Sequence, residues 1–150
     1  MPIEEMKVVI DYGIIGLLML LGFVTIFFGI ERILYYRSID ISKYSSRTAL
    51  ELDLSRNLST VATIGSNAPY VGLLGTVIAI ILTFYVMGDA GNNIDTGAIM
   101  KNLALALKAT AAGLAVAIPA TVIYNILSDQ VDVLLAKWDI HREDITPQNK

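Results

Sequence analysis

Charged residues vanish from three long stretches of the chain, residues 12–30, 57–88 and 109–128. A helix needs roughly 20 apolar residues to cross a hydrocarbon core about 30 Å thick, and each stretch is close to that or longer. The pattern predicts three transmembrane helices, over about residues 10–32, 64–88 and 100–127. It leaves a cytoplasmic loop at 33–62, an outward loop at 89–99 and a cytoplasmic tail at 128–150. Leu50, Leu54 and Leu58 recur at helical spacing, so residues 38–60 are expected to continue as helix. Val131, Leu134, Leu135 and Trp138 make a second such stripe beyond the third span. Helices two and three are therefore expected to be long and to extend into the cytoplasm. Gly88 to Asn93 is a turn by composition. The expected fold is an all-α integral membrane protein, one domain over residues 1–150.

Composition agrees with that pattern. Of 150 residues, 55% are hydrophobic and only 17% charged, against roughly a quarter charged in soluble domains. The mean hydropathy of +0.62 points the same way. With no cysteine, disulfide scaffolds, thiol catalysis and thiolate metal sites are excluded. A net charge of −3 gives no basic footprint for nucleic acid. The first hydrophobic stretch is not expected to be a signal peptide, since Glu4, Glu5, Lys7 and Asp11 precede it and no small-residue cleavage site follows. Orientation follows from the basic residues. Arg32, Arg37, Lys43, Arg47 and Arg56 lie in the first loop and Lys137, Arg142 and Lys150 in the tail, against Lys101 in the second loop and Lys7 before the first span. The positive-inside bias predicts an outward N-terminus and a cytoplasmic C-terminus. Tyr35 and Tyr36 follow the first span, where interfacial aromatics sit.

The second and third spans are richer in small residues than the first. Gly72 and Gly75 mark the second, and Ala109, Gly113 and Ala117 repeat at intervals of four in the third. Small residues let helix backbones approach closely in lipid, so these positions are read as helix packing or a subunit interface. Thr76 and Thr110 are equidistant from the outward loop, and Thr76 stands about 16 Å along the helix from Met87. Two antiparallel helices would bring both hydroxyls to one mid-membrane level. The ordinary role of such a threonine is to bond the carbonyl four residues back. The matched pair also suits a narrow hydrated path, since hydroxyls both donate and accept. Lys108 is the one formal charge well inside a predicted span, since Asp11, Glu31, Arg32 and Lys101 fall at span ends. It is read either as snorkelling outward or as a pore or partner contact. Pro69 and Pro119 are expected kinks. Asn67 and Asn125 are candidates for hydrogen bonds across helices, and His141 is a solvated tail residue. No carboxylate lies within the three uncharged stretches, so a proton relay would borrow its titrating group from a partner. A hydrolase would need nucleophile–base pairs or metal ligands in the spans; none is present, so neither enzyme chemistry nor a cofactor is expected.

The run Asn67-Ala68-Pro69-Tyr70-Val71-Gly72-Leu73-Leu74-Gly75-Thr76-Val77 resembles the second-span signature of the ExbB/TolQ proton-channel family, more distantly related to MotA. Ala109 to Ala120, followed by Tyr124-Asn125, is similar to that family's third span. The resemblance covers residues 60–128 closely, and its wording is nearer to ExbB than to TolQ. It implies a ring of subunits, a homopentamer, in a bacterial inner membrane, with an ExbD-type partner in the central pore. Proton-motive force would then pass to a TonB-type protein for outer-membrane import. It also implies that Thr76 and Thr110 line the pore. A TolQ-like role in envelope integrity and a non-conducting scaffold are the alternatives. Three features depart from the family pattern. Leu105 stands where relatives often carry Glu, Lys108 where an apolar residue is common, and the first loop is short.

Overall fold

The computed structural model describes residues 2–89 and 95–146. The turn expected at 88–93 falls mostly outside them, as does Lys150. Among the described residues there are four α-helices, α1 (Ile3–Ser38), α2 (Arg47–Leu54), α3 (Leu58–Asp89) and α4 (Thr96–Ile145), and one 3₁₀ turn at Ile41–Lys43. Among the described residues there is no strand. Helices α1, α3 and α4 are long and apolar enough to cross a membrane, so the all-α, three-span architecture holds. At 50 residues α4 is roughly 75 Å long, more than twice the hydrocarbon thickness.

The helix expected across 38–60 is broken twice. At the first break side chains compete with the backbone ladder. After Ser38 the Asp40 carboxylate accepts the Ser42 amide, which starts the 3₁₀ turn. Ser46 caps α2 through the Ala49 amide. Between α2 and α3, Asn57 takes a left-handed φ of 66°, a conformation asparagine tolerates better than most residues. The leucine stripe nevertheless serves one core. Leu50, Leu54 and Leu58 are buried together with Tyr36, Leu127, Val131 and Leu135. The other cluster, deeper in the bundle, is made of Leu18, Ala68 and Ala117.

α1 packs alongside α4 in a steady register. A Cβ on Gly22 would stand 3.6 Å from Val116 Cγ2, and one on Gly29 would stand 3.0 Å from Ile123 Cγ2. The two pairs share one sequence interval, so the helices run parallel. Their outward faces stay bare and apolar, with Met19, Phe23, Phe27 and Ile30 exposed on α1 and Ile118, Val122 and Ile126 on α4. In water such faces would drive association; in lipid they are the solvated surface.

Two side chains from the end of α1 cap α2. Tyr36 is not an outward-facing interfacial aromatic: it is 9% exposed and its hydroxyl donates to the Leu54 carbonyl at 2.7 Å. Arg32, 4% exposed, donates from Nη1 to the Asp53 carbonyl at 3.0 Å. Its Nε and Nη2 bind both oxygens of Glu31, and its guanidinium lies 4.5 Å from the centre of the Tyr35 ring. Those carbonyls belong to the last turn of α2, where no intrahelical donor remains. Beyond them, the Tyr44 carbonyl accepts from Trp138 Nε1 and Arg142 Nη2, tying the 3₁₀ segment to α4. The Tyr44 phenol is held above its ordinary range, first by the Tyr35 hydroxyl and then by the Asp53 carboxylate. Replacing Arg32 by Met keeps the length of the side chain but orphans the Asp53 carbonyl. A hydrogen bond from a charged donor is worth about 2 kcal/mol. The apparent Tm of the detergent-solubilised protein is expected to fall by roughly 4–8 °C. An unchanged Tm would remove the capping role.

Candidate functional site

Two glycines bring α3 and α4 into backbone contact. A Cβ on Gly72 would stand 2.6 Å from the Ala109 carbonyl oxygen, and one on Gly113 would stand 2.6 Å from the Ala68 carbonyl oxygen. Gly75 faces Ala109 Cβ at 2.8 Å and Ile14 Cδ1 at 2.9 Å by the same measure, so α1 joins the contact. Ala109, Gly113 and Ala117 are all buried. The small-residue stripe thus packs α4 against α3 inside one chain.

That close approach sets the polar geometry. Thr76 Oγ1 and Thr110 Oγ1 meet at 2.5 Å, across an interface where Thr76 is 6% exposed and Thr110 half-buried. Thr76 Oγ1 is also 3.1 Å from the Ala106 carbonyl and 3.3 Å from that of Gly72. Thr110 Oγ1 lies 3.5 Å from the Gly72 carbonyl. Each hydroxyl has one proton to give, so the bond between them can run in either of two directions. In one, Thr110 donates to Thr76 and Thr76 to the Ala106 carbonyl. In the other, Thr76 donates to Thr110 and Thr110 to the Gly72 carbonyl. Rotating both hydroxyls interconverts them and reverses the direction of the chain. Such a pair can pass a hydrogen bond along the helix axis, but it cannot store a proton at ordinary pH.

The remaining residues singled out from the sequence lie around this pair. Lys108, exposed, lines a cavity of about 180 Å³ with Val8, Asp11, Tyr12, Ile15 and Leu105. Pro69 and Pro119 each sit inside an unbroken helix, and Pro119 lies on an exposed face. Asn67 does not bridge helices: its amide donates to the Thr63 carbonyl of its own helix at 2.8 Å. Asn125 and His141 are exposed. Two residues had escaped sequence reasoning. Thr83 is buried on the same face as Thr76, two turns along, and bonds the Ala79 carbonyl. Its spacing from Thr76 was the available signal. The Ala106 carbonyl is a backbone acceptor that no side-chain pattern reveals.

Residues 30–140 match the model of the MotA/TolQ/ExbB proton channel family. A Helicobacter pylori protein named as biopolymer transport protein ExbB-like 2 is 53% identical over 144 residues, spanning 96% of this chain and 95% of that protein. Biopolymer transport protein ExbB of Aquifex aeolicus is 52% identical over 141 residues, covering 93% and 95% respectively. Biopolymer transport protein ExbB of Helicobacter pylori is 47% identical over 135 residues, 90% of this chain and 92% of its own.

Proposed function

The chain belongs to the MotA/TolQ/ExbB proton channel family, and on that premise we propose that it is an ExbB-type subunit converting proton-motive force into work for TonB-dependent outer-membrane import. Copies of it, five by family resemblance, form a ring in a bacterial inner membrane with the N-terminus periplasmic and the C-terminus cytoplasmic. An ExbD-type partner threads its helices through the ring, and a TonB-type protein receives the work. The observation that carries this reading is the Thr76–Thr110 hydroxyl pair, buried between two spans and half open at Thr110. The open side faces the lumen, where a carboxylate of the partner gains and loses the proton. The pair offers that carboxylate a donor in one rotamer and an acceptor in the other.

A proton moving with the field releases about 2.3 kcal/mol per 100 mV. Shifting a two-state element almost completely takes roughly 5.5 kcal/mol, so a few protons suffice. Relatives named ExbB match over nearly their whole length, which favours the ExbB role over the TolQ-like one. The test is the mass of the solubilised complex after co-expression with an ExbD-type partner and with the partner of a TolQ-type subunit. A multi-copy ring is expected to retain the ExbD-type chain. Preferential retention of the TolQ-type subunit's partner would move the function to envelope maintenance. A particle with a single copy and no partner would defeat the reading.

A further inference from the structure

The register between α1 and α4 brings a carboxylate to Lys108, the charge well inside the third span. Continued two turns from the Gly22–Val116 pair, it sets Ile15 level with Ala109, and a third turn sets Asp11 level with Leu105. The contact between Ile14 and the Gly75–Ala109 pair fixes the same level independently. Asp11 therefore sits on α1 only about one turn above the threonine-bearing level, inside the helix that spans the membrane. Lys108 is a turn deeper, and side chains of α4 lean toward its N-terminal end. That direction carries the ammonium toward Asp11. Both residues line the cavity of about 180 Å³, whose other walls are Val8, Tyr12, Ile15 and Leu105. This is room for a few waters between the charges. Asp11 also lines a second cavity with Lys7, Thr83 and Asn102, so it stands between the two lysines.

A lone ammonium at this depth carries two penalties. It is costly in lipid, and it repels any cation approaching the hydroxyl pair. At an effective dielectric constant of 20, a unit charge about 8–10 Å away lowers proton occupancy roughly 15- to 30-fold. We infer that Asp11 is the counter-charge of Lys108, and that the pair keeps the entrance to the Thr76–Thr110 site electrically neutral to a passing proton. Asp11 is a positioning residue: it acts through Lys108. Lys7 lies a turn nearer the start of α1. The electrostatic role rests on the proton-conducting reading above; the pairing itself does not.

Two measurements on the full chain with its partner test this. In reconstituted vesicles, Asp11→Asn is expected to lower proton flux tenfold or more. Adding Lys108→Gln to Asp11→Asn restores at least half of the wild-type flux, whereas adding Lys7→Gln does not. Separately, thermal melting follows Asp11→Lys, Lys108→Asp and their combination. Each single change lowers the apparent Tm, and the exchanged pair regains most of the loss. The inference is overturned if the exchanged pair melts no higher than the two losses summed, or if Lys7→Gln rescues Asp11→Asn as well as Lys108→Gln does. A wild-type complex that passes no protons would strike down the conducting reading, while the melting cycle still decides the pairing.

Discussion

Gly113→Leu is expected to abolish the folded protein, and Gly72→Leu to do the same. At both positions even a methyl group meets backbone, not a side chain that could turn aside: the Ala68 carbonyl and Gly72 Cα for Gly113, the Ala109 carbonyl and Gly113 Cα for Gly72. The only relief is separation of α3 from α4. In lipid that separation is not opposed by a hydrophobic drive, so the contact itself is what holds the helices. Alanine at a helical glycine gains roughly 1 kcal/mol of propensity. Overpacking against fixed backbone costs about 1–3 kcal/mol, so Gly113→Ala should come out destabilising. Leucine adds three more carbons to the same gap. Gly22→Ala is the matched control, because its methyl would meet Val116 at an ordinary 3.6 Å. Size-exclusion profiles and melting of the solubilised protein read the result. A Gly113→Leu variant that elutes and melts like wild type would contradict the packing described here.

The three spans could be read from the sequence because the bilayer imposes a length, and charge is absent over that length. What lay beyond them was less legible. The leucines at 50, 54 and 58 keep helical spacing through a chain that is not one helix. Periodicity reports a shared face and is silent about a turn at Asn57 that preserves it. The break signals were present as Asp40 and Ser46, each a side chain that takes up a nearby amide. Arg32 and Tyr36 looked like the polar end of a span. Their partners, the carbonyls of Asp53 and Leu54, are backbone atoms brought near by the reversal of the chain. The small residues announced close packing without naming the helices that meet. Equal spacing of Thr76 and Thr110 from the loop implied a common level. That their oxygens meet, and that Ala106 offers a third acceptor, follows from the glycine contact and had no separate signal. Asp11 was hidden at the margin of the first span: the uncharged run begins one residue after it, so it reads as a flanking charge, although the helix starts at Ile3.

The hydroxyl pair carries the largest functional effect. Changing Thr76 and Thr110 together to Val keeps the volume of each side chain and removes donor and acceptor at once. Deleting both partners of a buried hydrogen bond is close to neutral for stability, so the double variant should assemble. Changing Thr76 alone leaves Thr110 its bond to the Gly72 carbonyl, and a milder loss is expected. A passing proton forfeits a charge-assisted hydrogen bond of roughly 2 kcal/mol in the double variant, a slowing of roughly thirtyfold. The direct measurement is proton flux into vesicles holding the chain with its partner, under a fixed membrane potential and with the assembled mass checked. A roughly thirtyfold drop at unchanged mass is the predicted result, and a double-valine complex that conducts at the wild-type rate would contradict the account.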